Sequence, residues 1–76
     1  MILSISIPHT HQEYDIQVQP HQTIENIIQV LDEGGLLSLD PEHIKIKSVR
    51  NQTYLRTGLT LEQAAVYQGD TLMITQ

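Results

Sequence analysis

"HQTIENIIQVLDEGG", residues 21 to 35, is the stretch that decides the architecture, because the hydrophobic period changes here and almost nowhere else. Ile24, Ile27, Ile28 and Leu31 fall at i, i+3, i+4 and i+7, which on a 3.6-residue period makes a single apolar stripe. Thr23 stands where a hydroxyl can accept an orphan N–H at the helix start, and Glu25 favours the positive end of the helix dipole. Gly34 or Gly35 can take the left-handed conformation that ends a helix. Asp32 and Glu33 lie at the wrong end for the dipole, and with no partner base or metal ligand nearby they read as solvated carboxylates.

Working outward, the flanking segments alternate with period two. "MILSISI" sets Leu3, Ile5 and Ile7 against Ser4 and Ser6, and Pro8 stops it. After the polar "PHTHQE", Tyr14, Ile16 and Val18 alternate with Asp15, Gln17 and Gln19, so the first two strands form a hairpin that Pro20 closes. Beyond the helix, "LLSLDPEH" is a loop carrying Leu36, Leu37 and Leu39. These leucines either cap the core beneath the helix or leave one of their number exposed as a contact. "HIKIKSV" alternates again, with Ile44 and Ile46 opposed by Lys45 and Lys47, and "RNQT" turns the chain into a short fourth strand around Tyr54 and Leu55. Thr60 and Gln63 form a capping box that predicts one or two turns of helix with Leu61 and Val66 buried. "TLMIT" is a last strand, with Leu72 and Ile74 inward and Thr71, Met73 and Thr75 outward. Each strand has one polar and one apolar face. The expected fold is therefore α+β: residues 1–76 as one domain, ββαββ, a short helix and β, with a single sheet packed on one helix.

Composition narrows the functions. At 76 residues, with no cysteine, tryptophan or phenylalanine, the core must be aliphatic, and aromatic stacking is a poor basis for ligand recognition. Four Lys and Arg against nine Asp and Glu give a formal net charge of -5, which argues against nucleic acid and anionic membrane surfaces. No apolar run approaches the ~18 residues of a spanning helix, and Met1 leads straight into a strand, so the simplest expectation is a cytoplasmic protein without membrane insertion. His9 and His11, with His21 beyond, make an incomplete metal ligand set, and Ser4 and Ser6 have no activating histidine and carboxylate. No phosphate-cradling glycine loop is present. The expectation is no catalytic residue, no cofactor and no metal. Lys45, Lys47, Arg50 and Arg56 hold all the side-chain positive charge of the lysines and arginines. They form either a solvated, aggregation-resistant face or a docking surface for an acidic partner.

The element order, "TIEN" at 23–26 and "TLEQAAVYQGDTLMI" at 60–74 resemble the ubiquitin-like β-grasp family along the whole chain. That resemblance implies a mixed sheet with the last strand parallel to the first at its centre. The family's covalent and sulfur-carrying members need a C-terminal Gly-Gly tail. This sequence finishes Ile74, Thr75, Gln76 and has its only Gly-Gly pair at Gly34 and Gly35, so conjugation and sulfur transfer are not expected. Where ubiquitin presents an aliphatic patch, the outer face here is expected to offer Lys45, Lys47, Thr75 and the single apolar Met73.

"YLRTGLTLEQAAVYQGDTLMI", with its turn at Gly69 and Asp70, is similar to the closing region of the YukD/EsaB family of free-standing ubiquitin-like proteins of Gram-positive type VII (WXG100) secretion systems. The resemblance implies a monomeric, non-enzymatic adaptor, peripheral to the membrane through a protein partner such as a secretion-channel or ATPase subunit. Two alternatives remain open: a modifier or sulfur carrier trimmed at its C-terminus, and an interaction domain cut from a larger protein.

Overall fold

The computed structural model describes all 76 residues, Met1–Gln76. Five strands, one α-helix and a single 3-10 turn follow in the order β1 (Ile2–Ile7), the 3-10 turn (Pro8–Thr10), β2 (Gln12–Gln17), α1 (Ile24–Glu33), β3 (Lys45–Ser48), β4 (Thr53–Tyr54) and β5 (Thr71–Thr75). They form one mixed sheet in the order β2-β1-β5-β3-β4. β1 and β5 run parallel at its centre, and every other neighbouring pair is antiparallel. This is an α+β architecture compatible with the expected topology.

The alternation read from the sequence places the core. Leu3, Ile5 and Ile7 of β1 and Leu72 and Ile74 of β5 are completely buried, as central strands require when a helix covers their inner face. The helix contributes Ile24, Ile27, Ile28 and Leu31, its whole apolar stripe. All fifteen buried core residues are leucine, isoleucine or valine, and half-buried Met1 and Tyr14 pack against them from the edge. Leu37 and Leu39 join this core, as core-capping residues, while Leu36 stays at the surface.

The helix ends obey local chemistry. Thr23 Oγ1 accepts the Asn26 N–H at 3.0 Å. At the other end Gly35 has φ +72°, its N–H bonds the Asp32 carbonyl at 3.1 Å and the Leu36 N–H bonds the Leu31 carbonyl at 2.9 Å. Those are the paired bonds of a Schellman ending. Two further orphan donors at the start, Ile24 N–H and Glu25 N–H, reach the carbonyls of Leu59 and Thr57, each at 2.9 Å. The 57–60 segment thus caps the helix from outside.

One expectation is corrected. The capping box at Thr60 and Gln63 forms, with reciprocal bonds of 3.0 and 3.1 Å, yet no helix follows it. Residues 61–65 make hydrogen-bonded turns, and Ala65 adopts a left-handed φ of 56°. The reason is packing. Leu61 and Val66 are both buried, and five residues on a helix would point them about 140° apart. Only a backbone that folds back at Ala65 returns both to the core.

Candidate interaction surface

The outer face of the sheet is built by the residues that alternate with the core. Register sets Lys45 opposite Thr75 and Lys47 opposite Met73, so the four expected contact residues form one block on β3 and β5. Lys47 is also opposite Tyr54 of β4, and its ammonium lies 5.8 Å from the centre of that ring, within cation–π range. Tyr54 is 62% exposed, so the aromatic plane is available beside the charge. Neither lysine is engaged in an ion pair; the one close contact between a carboxylate and a basic side chain is Asp40 with His43.

Following the register across the sheet gives a single outward row: Glu13, Ser6, Met73, Lys47, Tyr54, one residue from each strand. At about 4.8 Å per strand gap the row spans about 19 Å. It begins on an acid and ends on a cation with an aromatic ring. A second row, Asp15, Ser4, Thr71, also begins on an acid but carries no cation, and the Ser4 hydroxyl donates to Asp15 Oδ1 at 2.8 Å. The small hydroxyl residues beside the acidic end leave a shallow polar trough over β1, lined by Ser4, Ser6, Glu13, Asp15 and Thr71 among others. Exposed apolar groups on this face are dispersed. Ile2 sits opposite Gln17 and Val49 bonds beside Thr71, with polar Ser4 and Thr71 between them.

The remaining cations are held differently. Arg50 donates from Nη1 to the Gln68 carbonyl at 3.3 Å, away from the lysine block. Arg56 is exposed in the loop after β4. His9, His11 and His21 are exposed, and no three metal-ligating side chains come together anywhere in the fold. No helix is long and apolar enough to cross a membrane.

The outward alternation of Lys45, Lys47, Met73 and Thr75 is legible in the sequence; the residues that surround them are not. Tyr54 was legible as a strand residue, but nothing local tells that β4 lies against Lys47. The acidic end was legible as the alternating Glu13 and Asp15, but its place at the opposite edge follows from strand order alone. Asp70, read as part of a turn, proves buried: its carboxylate accepts the Ser48 hydroxyl at 2.6 Å, the Arg50 N–H at 3.1 Å and the Thr71 N–H at 2.7 Å. This polar bolt fixes the end of β3 to the start of β5, and so fixes the register that juxtaposes Lys47 and Met73.

A scan of protein-family models finds none that matches the chain, and a search of curated proteins finds no match.

Proposed function

We propose that this chain is a ubiquitin-like β-grasp protein that acts by docking, without bond chemistry, as an adaptor of a Gram-positive type VII (WXG100) secretion system. The observation that carries the docking reading is the outward row ending in Met73, Lys47 and Tyr54, with Lys45 and Thr75 beside it. Free cations next to an exposed ring suit an acidic partner surface that also offers an apolar or planar group, and charge separation along the row orients its approach. The parallel β1–β5 pair at the sheet centre, crossed by one helix, supports the β-grasp assignment. The similarity of "YLRTGLTLEQAAVYQGDTLMI" to the YukD/EsaB closing region supports the secretion-system assignment, with a channel or ATPase subunit as partner on the cytoplasmic side.

Affinity capture from a Gram-positive membrane extract tests this reading. The protein is expected to bring down secretion-channel or ATPase subunits, and Lys45→Glu with Lys47→Glu is expected to abolish that capture. Undiminished capture by the double variant would place the contact elsewhere. A native chain whose intact mass ends in Gly-Gly, or in a C-terminal thiocarboxylate, would replace docking with carrier chemistry.

A further inference from the structure

The largest open groove in the molecule lies on the side of the helix away from β2, and it stands independently of the secretion-system reading. Glu25, Ile28, Gln29 and Asp32 of α1 fall at i, i+3, i+4 and i+7, so they share one stripe beside the core stripe and form one wall. Pro41, Glu42 and Ile44, on the chain entering β3, form the other. The Thr57 carbonyl accepts the Glu25 N–H at 2.9 Å and so closes the end next to the helix start. The space between the walls is about 680 Å³.

The floor of this groove is apolar and its rims are acidic. Ile28 is buried and Ile44 half-buried along the floor, while Glu25, Asp32 and Glu42 stand exposed above them. No lysine, arginine or histidine lines the groove, and none of the three carboxylates has an ion-pair partner. Asp32 also lies in the last turn of α1, where the helix dipole disfavours a negative charge, so a cation beside it satisfies the carboxylate and the dipole together. The walls offer no backbone for an added strand: the α1 peptide groups bond within the helix, and β3 already has β4 on one side and β5 on the other. Recognition therefore runs through side chains. Glu25 and Asp32 are two turns apart, about 10.5 Å along the axis. In an extended segment, residues that far apart are about three positions distant and point to opposite faces. On a helix they are i and i+7 and share a face, with i+3 and i+4 between them.

We propose that this groove binds an amphipathic helix of a partner protein, with lysine or arginine seven residues apart and aliphatic residues midway between them. The partner helix lies along α1. Its basic residues pair with Glu25 and Asp32, Glu42 faces them from the opposite wall, and the aliphatic residues cover Ile28 and Ile44. A second copy of this chain does not supply that helix, because α1 carries no lysine or arginine.

The probe is a blocked peptide of about eighteen residues, rich in alanine and glutamine and so helical when free, with two lysines seven apart and two leucines midway between them. It is titrated into the full-length labelled protein by NMR. Binding is expected to shift Glu25, Ile28, Asp32, Glu42 and Ile44, and to leave Tyr54, Met73 and the β2 strand unmoved. A peptide of the same composition with its lysines and leucines on opposite faces is expected to bind at least about tenfold more weakly, as loss of anchoring contacts does. Asp32→Lys with Glu42→Lys changes two exposed positions, one of which the helix dipole favours as lysine. That variant is expected to keep the fold and to prefer the peptide that carries glutamates in place of the lysines. The protein with Lys45→Glu and Lys47→Glu, which reports on the docking row, is expected to bind the probe no more weakly. Equal binding of the two isomeric peptides overturns the proposal, because charge alone then suffices. So does an absence of saturable binding, a shift pattern centred on Lys47 and Met73 or on β2, or a concentration-dependent dimer through this groove in sedimentation.

Discussion

The Ser48 hydroxyl donates to Asp70 Oδ2 at 2.6 Å in the interior, and these are the only two buried polar side chains in the molecule. Ser48 Oγ also accepts the Asn51 N–H at 3.2 Å, so the pair organises both the turn after β3 and the entry to β5. Every buried polar side-chain atom has a partner. Such a network stabilises only while it is complete.

Asp70→Ala is therefore expected to destabilise the fold by about 2 to 4 kcal/mol, since it strands two backbone donors and a buried hydroxyl together. Ser48→Ala is expected to lose less, about 1 to 3 kcal/mol, by leaving one carboxylate oxygen and one backbone N–H unpaired. Urea unfolding of both variants checks this, and a neutral Asp70→Ala would show that the carboxylate network contributes nothing.

Two adjacent helix residues should behave oppositely. Leu31 is 1% exposed and Leu31→Ala is expected to cost about 2 to 5 kcal/mol, a large part of the ~4 to 11 kcal/mol typical for a chain of this length. Val30 faces outward, and Val30→Ala is expected to change stability by no more than about 0.5 kcal/mol. Equal effects in thermal unfolding would contradict the assigned helix face.

Ala65 holds a left-handed φ of 56°, a conformation that costs an L-residue roughly 1 to 2 kcal/mol. Glycine avoids that cost and loses about 0.5 to 1 kcal/mol through its more flexible unfolded state. Ala65→Gly is expected to raise stability by about 0.5 to 1 kcal/mol, visible as a higher Tm. The Ala65 carbonyl accepts Asn51 Nδ2 at 2.9 Å in either case, so the contact to the β3–β4 turn survives.

Asp40 gives a pH signature. Its carboxylate accepts the Glu42 N–H at 3.0 Å and meets His43 Nδ1 at 2.6 Å, and these contacts, the backbone bond foremost, hold its pKa below the ordinary aspartate value. A depressed folded-state pKa contributes stability above the unfolded value that is lost as pH falls through the folded one. The carboxyl carbon of Asp40 is expected to titrate at lower pH in the folded chain than in urea. His43→Ala is expected to reduce that difference without removing it, because the backbone bond persists. Complete loss would assign the effect to the histidine instead.

How much of this was legible from residues alone differs between the helix and the sheet. The β1 alternation, the helix stripe and the Thr23 cap all came through because each arises within a few residues of chain. The capping box at Thr60 was read correctly as chemistry and incorrectly as a helix, since burial of both Leu61 and Val66 overrides a local preference worth about 1 kcal/mol. The candidate surface divides the same way. Lys45, Lys47, Met73 and Thr75 could be assigned to outward positions by period two, whereas Tyr54, Glu13 and Asp15 acquire meaning only through their neighbours in the sheet.

What the sequence determined by itself is the inside and outside of each element, because side-chain direction follows from backbone period and apolar side chains leave water wherever the period allows. What the tertiary structure decided is which elements meet. Hydrogen bonding between strands is blind to sequence separation, so nothing local dictates that β5 lies between β1 and β3 with Met73 between Ser6 and Lys47. That choice falls to packing of the fifteen aliphatic residues and the Ser48–Asp70 bond. They align β3 with β5, and in doing so draw out a charged row.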